Sequence, residues 1–287
     1  MSQLREIRTK IEHVHQLQKV VRSMQLMATV KRRQCVERMM AGRPYADTMM
    51  RLARHMAAAH SEFQHPLLAR REDTRAGYLL ITSDRGLCGG LNVRLLRQVI
   101  AEMKARTERD ASTELAVLGR RGIRFFQRWG GRVIATTDGL GDAPPLSALI
   151  GITKAMIDRY VNAEIDRLYL AYNRFENMLS QRPVVIQVLP AEPATEAEMR
   201  HTWDYLYEPE SVALLDDILR RHIEVQVYQA VLENRAAEMA ARAVAMHQAS
   251  DNAERIIRSL TQLYHKRRQA AITQELQEIV SGGEALR

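Results

Sequence analysis

Aromatic residues make up only 5% of this 287-residue chain, and cysteine occurs twice, at Cys35 and Cys88. Two thiols cannot build a disulfide framework, and they suit a reducing compartment. So few rings argue against one large globular core. Methionine, used 14 times, and plentiful alanine take their place. Alanine is the best helix former, and methionine fills irregular gaps. No apolar run approaches the roughly 20 residues a membrane span requires. The first residues open straight into a helical pattern without an apolar h-region, so no secretory signal is expected. Acidic side chains are also short, with 34 Asp and Glu against 42 Lys and Arg, for a net charge of +8. That balance admits nucleic acid, an anionic membrane surface or an acidic protein as partner, and does not choose among them.

Glycine and proline are scarce toward both ends of the chain. Residues 1–65 contain only Gly42 and Pro44, and residues 210–281 contain neither. Gly77 to Gly151 hold eleven of the 14 glycines. Because these two residues are the strongest breakers of regular structure, the order is helix, globule, helix. As one helix, residues 210–281 would run about 108 Å at 1.5 Å per residue, too long for a compact domain of this size.

What is present at the two ends is a coiled-coil rhythm. Leu232, Ala236, Met239, Ala243, Met246, Ser250, Ala253, Ile257, Leu260 and Tyr264 step by four and three, the 3.5-residue period of a left-handed coil. The small residues in that seam imply close helix approach. Leu4, Ile7, Ile11, Val14, Leu17, Val21, Met24 and Ala28 form a matching stripe. Two consecutive steps of three, ending at Leu17, predict a local overwinding there. The globule between the two stripes makes their pairing antiparallel.

The middle alternates strand and helix patterns. Ala76–Ser83, Leu115–Leu118 and Arg132–Thr136 read as strands, and Leu168–Tyr172 with Val184–Leu189 as a final strand pair. Helices are predicted over Leu91–Arg106, near Ile123–Trp129 and over Leu146–Val161. Alternation of this kind implies a mostly parallel sheet.

Few residues here suggest chemistry. Thr82–Asn92 leaves a strand and opens a helix, the position at which α/β folds bind phosphate. It is neither GxGxxG nor a P-loop, so a nucleotide-dependent enzyme rests on this segment alone. The plainer reading is a tight turn in which Gly86, Gly89 and Gly90 adopt backbone angles that other residues avoid. Cys88 lies near a helix N-terminus, which tends to lower a thiol pKa, but no base stands beside it. His13/His15 and His55/His60 lack the spacing of metal ligands on a helix. Residues 1–33 carry eight Lys and Arg against Glu6 and Glu12. A basic adaptor for nucleic acid is the competing reading, weakened because no aromatic residues interleave for base stacking. We expect no enzyme, no cofactor, no metal and no nucleic acid.

Longer motifs then point one way. Glu233–Asn252 (ENRAAEMAARAVAMHQASDN) and Arg268–Val280 (RQAAITQELQEIV) closely resemble the gamma subunits of F-type ATP synthases. So do Arg5–Arg8 with Lys19 and Met24, Arg43–Ala46, Thr82–Asn92 and Trp203–Pro209. The resemblance covers the whole chain in order and is closest to the bacterial type. It departs at His265, where the family often has Asn, and at Thr29-Val30 within a usually Ala/Lys-rich string.

The resemblance implies an α/β fold class: a long antiparallel coiled coil of the terminal helices (1–66 and 210–287) plus a central Rossmann-like α/β domain (67–209). It implies a non-catalytic rotor shaft turned by a c-ring inside a ring of α and β subunits, with the epsilon subunit against the central domain. The membrane would be met only through the c-ring, at the cytoplasmic face of a bacterial inner membrane. By the same resemblance Met24, Arg242, Arg268, Gln269 and Thr273 contact β subunits, and Ile272, Leu276 and Ile279 sit in an upper bearing. Tyr205, Tyr207 and Glu208 meet the c-ring.

Overall fold

The computed structural model describes residues 2–59, 65–109, 111–191 and 211–285. Helix α1 spans Ser2–Ala59. A 3-10 turn at Pro66–Leu68 follows, then β1 (Arg75–Ile81), α2 (Leu91–Thr107), β2 (Ser112–Leu118), α3 (Arg120–Trp129), β3 (Arg132–Thr137) and α4 (Ser147–Val161). The hairpin β4 (Arg167–Phe175) and β5 (Gln181–Leu189) and the final helix α5 (Ser211–Ala285) complete the described order. Each central element lies within a few residues of its predicted place. The described residues divide into two compact units, Met1–Ala28 with Ala243–Arg287, and Thr29–Arg242.

The first unit is a pair of helices. Gln18 Nε2 donates to the Ser250 carbonyl at 3.4 Å, and Arg22 Nε donates to Ser250 Oγ at 3.3 Å. Gln25 Nε2 lies 3.5 Å from His247 Nδ1. The C-terminal seam is as expected, with Ala243, Met246 and Ser250 buried. The N-terminal stripe is not. Leu17 is 61% exposed and Met24 37% exposed, whereas Gln18 is buried. The inward positions are Leu4, Ile7, Ile11, Val14, Gln18, Val21, Gln25 and Ala28. That is an unbroken heptad, so the overwinding predicted at Leu17 does not occur. Buried Gln18 holds its seam position with the Ser250 carbonyl as partner across the coil, which offsets its burial, and half-buried Gln25 lies beside exposed His247. A stripe drawn through apolar residues alone slides to the neighbouring face.

The second unit is built around a sheet of order β3-β2-β1-β4-β5. All neighbours are parallel except β4 and β5. Both faces are covered, so β1 is buried at every position from Ala76 to Ile81. Ala76, Tyr78 and Leu80 pack with Leu95, Val99, Met103 and Phe126 of α2 and α3. The opposite face, through Leu79 and Ile81, packs with α4 and with residues of α1 (Ala53, Met56) and α5 (Leu219, Ile223, Val227, Val231). Continuous apolar strands between two helical layers are the pattern of a parallel sheet.

Two histidines are buried in this layer. Burial, then the Arg54 charge, depresses the His222 pKa to about 4. Burial also lowers that of His65, against the opposing pull of Asp216. A depressed folded-state pKa means that stability is full above the unfolded value near 6.5 and is lost as pH falls toward 4. A shift of the His222 size is worth about 3 kcal/mol at the acid end. We expect the urea midpoint of the chain to fall between pH 7 and pH 5. In His222→Gln that fall should shrink.

Candidate functional site

The most enclosed stretch of the second unit lies on α5. Every residue from Ala230 to Ala241 is buried, so this part of the helix has no solvent face. One side meets α1, where Cys35 and Met39 pack on Leu232, Ala236 and Met239. Gln229 Nε2 donates to the Met39 carbonyl at 3.1 Å, and Arg43 pairs with Glu233 at 3.1 Å. The other side meets the α/β domain. Cys88 and Leu91 pack against Ala237 and Ala241, whose small side chains permit close approach. From β4, the backbone N–H and Nδ2 of Asn173 both donate to Asn234 Oδ1, at 3.1 and 2.9 Å.

The segment between β1 and α2 supplies the polar half of this collar. Asp84 Oδ1 accepts from the backbone N–H of Arg120 at 3.1 Å, and Asp84 Oδ2 accepts from Arg235 Nη2 at 3.0 Å. Arg235 also reaches Glu238 at 2.8 Å. Arg242 pairs with the other oxygen of Glu238 at 2.6 Å and donates to the Gly86 carbonyl at 3.2 Å. Burial works to raise the Asp84 pKa, yet the Arg120 amide and the Arg235 guanidinium hold it below the usual carboxylate range. Burial likewise opposes the charge on Arg235, and Glu238 and Asp84 outweigh it. Two carboxylates and two guanidiniums therefore sit together with their charges balanced, Arg235 and Glu238 buried and Asp84 and Arg242 partly so, the condition on which buried ions are tolerated.

The turn itself differs from expectation. Gly89 has a φ of 58°, but Leu87 shares that conformation at 64°, and neither Gly86 nor Gly90 does. At Gly86 a Cβ would lie 2.1 Å from the tip of the exposed Arg121 side chain, which can swing aside, so that contact does not require glycine. Asn92 closes the segment, its Oδ1 accepting from the Ser83 amide at 3.1 Å and its Nδ2 donating to Ser83 Oγ at 2.7 Å. Burial raises the Cys88 pKa, so its place beside α2 does not activate the thiol.

Of the residues singled out from sequence, Arg242 lies in this collar, its side chain 12% exposed. Met24 lies outside the seam of the first unit. Arg268, Gln269, Ile272, Thr273, Leu276 and Ile279 are exposed together near the end of α5. Beyond Ala271 every described side chain through Ile279 is exposed. Tyr205, Tyr207 and Glu208 lie outside the described residues. Asp84, Asn234, Arg235 and Glu238 were not singled out. Their signal was the doubled alanines Ala236, Ala237, Ala240 and Ala241, which spread small side chains over an arc wider than the single seam position per turn that a two-helix coil needs.

Among the described residues no group of His, Cys, Asp or Glu is placed to hold a metal, and no helix is long and apolar enough to cross a membrane. Two long helices paired around a heptad seam, with an α/β domain inserted between them in sequence, define a coiled-coil protein. A family model described as ATP synthase matches residues 3–286, and the chain belongs to that family, as a gamma subunit. Its fold is similar to that of a chain of the Euglena gracilis mitochondrial ATP synthase rotor, at 18% identity and a TM-score of 0.63, over 94% of this chain and 99% of that one. A second Euglena gracilis chain, from the OSCP/F1/c-ring assembly, gives 19% identity and a TM-score of 0.67 over 99% and 95%. A chain of the Tetrahymena thermophila central stalk and c-ring gives 21% and 0.60 over 80% and 99%.

Asn234→Ala would strand two buried donors of Asn173. At about 1–3 kcal/mol per unsatisfied group, we expect a clear drop in thermal unfolding temperature. Asn234→Asp keeps the acceptor but adds an unpaired charge at a buried position, so it should not recover the loss.

Proposed function

We propose that this chain is the central rotor shaft of an F-type ATP synthase, coupling ion-driven c-ring rotation to the conformational cycling of β catalytic sites. The observation that carries this reading is family membership across residues 3–286, and the enclosed stretch of α5 gives it a mechanical basis. The similar chains from Euglena gracilis and Tetrahymena thermophila come from a rotor and a central stalk. In this reading the chain is not catalytic. Its partners are the α, β and epsilon subunits and the c-ring, through which it meets the cytoplasmic face of a bacterial inner membrane.

The coil's surface suits that work. Leu17, Val20, Met24 and Met27 are all exposed. They step by three and four along a face of α1 outside the seam, so they are available to surrounding subunits. Flexible methionine and small apolar side chains give contacts that are easily exchanged, whereas rigid aromatic anchors would act as hot spots and stall a turning shaft. A coil whose faces differ makes different contacts with three identical sites at one instant, and so biases each toward a different state. We assign β contacts to Met24, Arg268, Gln269 and Thr273, and to Arg242 where its edge stays exposed. Ile272, Leu276 and Ile279 form the upper bearing, and Tyr205, Tyr207 and Glu208 the foot on the c-ring.

The purified chain should hydrolyse no ATP, and mixing it with α and β subunits should give ATPase accompanied by rotation of a probe on the chain. Turnover by the chain alone would falsify the non-catalytic assignment. Met24 lies off the seam, so Met24→Lys should leave thermal stability nearly unchanged. In the assembled enzyme it should lower the ions moved per ATP hydrolysed. Equal losses of stability and coupling would instead indicate a folding defect.

A further inference from the structure

A rotor subunit must hand twist from its globular domain to its helices. Resting on the rotor reading above, we propose that the chain Asp84–Arg235–Glu238–Arg242–Gly86 carbonyl, buried at Arg235 and Glu238, is the torsional weld that fixes α5 to the α/β domain. Asp84 and Arg235 are its positioning residues.

The geometry separates two kinds of contact around the enclosed helix. Cys88, Leu91, Ala237 and Ala241 make apolar contacts. Such contacts are non-directional, so they fix the angle of the helix less sharply than paired charges do. The ion pairs cannot. Turning α5 about its axis would pull the Arg235 guanidinium off Asp84 and Arg242 off the Gly86 carbonyl. Buried Arg235 would lose its carboxylate partner across the interface, a costly outcome for a charge, and the part-buried Gly86 carbonyl would lose its donor. Asp84 is the link with a hand on both sides. One carboxylate oxygen takes the backbone N–H of Arg120, at the start of α3, and the other takes Arg235 of α5. Glu238, 1% exposed, then joins Arg235 to Arg242 along one face of α5. Arg242 returns to the β1–α2 segment through Gly86. The loop of contacts thus starts and ends on one segment of the α/β domain and passes through two turns of α5. Both cations are arginines, whose planar fork can hold two acceptors at once where lysine holds a point charge.

The test uses the chain assembled with α and β subunits. Arg128→Cys on exposed α3 carries the probe, since Cys35 and Cys88 are buried. In complexes immobilised through the other subunits and stalled with bound nucleotide, the angular spread of the probe reports compliance between α3 and the held helices. We expect Asp84→Asn and Arg235→Lys to broaden that spread roughly twofold, because each removes links from a cooperative network. Val99→Ala, a cavity in the core beneath α2, serves as a control for lost stability and should leave the spread unchanged. Should Asp84→Asn fail to assemble, Arg242→Lys keeps a charge for Glu238 and loses the fork to Gly86, and is expected to broaden the spread by a smaller factor. Unchanged spread in the assembled variants, or equal broadening by Val99→Ala, overturns the weld. A parent complex whose probe does not turn on ATP addition overturns the rotor reading instead, so the two failures are told apart.

Discussion

A helix buried on every side has nowhere to put its polar side chains except against other protein, and the rest of this structure follows from that condition at Ala230–Ala241. Glu233, Asn234, Arg235 and Glu238 fall within that stretch because a helix turns its whole circumference toward its surroundings every 3.6 residues. Each needs a partner fixed by some other element. Arg43 of α1 answers Glu233, Asn173 of β4 answers Asn234, and Asp84 answers Arg235. Three separate pieces of the second unit are thereby held to one helix by bonds that have a direction.

This division of labour separates the two units. In the first, the seam is sparse and mild, with glutamine and serine among its buried positions and apolar side chains outside it. In the second, the same pair of helices acquires an ionic collar and two apolar layers on a sheet. The coil's outward face is left with groups that exchange partners easily, while the collar uses groups that do not. For a subunit proposed to turn against its neighbours while staying rigid within itself, these are the two properties needed, and they are met by different side-chain chemistry.

Much of the fold was legible because its signals are local. Scarcity of glycine and proline marked the terminal helices, and alternation marked every central strand and helix. Errors arose where a residue's place depends on a partner far away in sequence. Gln18 and Gln25 are seam residues only because Ser250 and His247 stand opposite, so an apolar stripe misplaced Leu17 and Met24. Cys88 is governed by burial under α5 rather than by the helix it precedes.

The chain's pattern by itself determined that it has two coil-forming ends around an α/β middle and, through whole-length motifs, which family it resembles. Periodicity and breakers are properties of neighbouring residues, and neighbours in sequence are always neighbours in space. Tertiary structure alone decided which side of each helix is inside and which charges are buried. It also decided that Arg242 turns inward to Glu238 and Gly86. Those outcomes depend on desolvation and on pairings between residues up to 232 positions apart, for which no local pattern carries a signal.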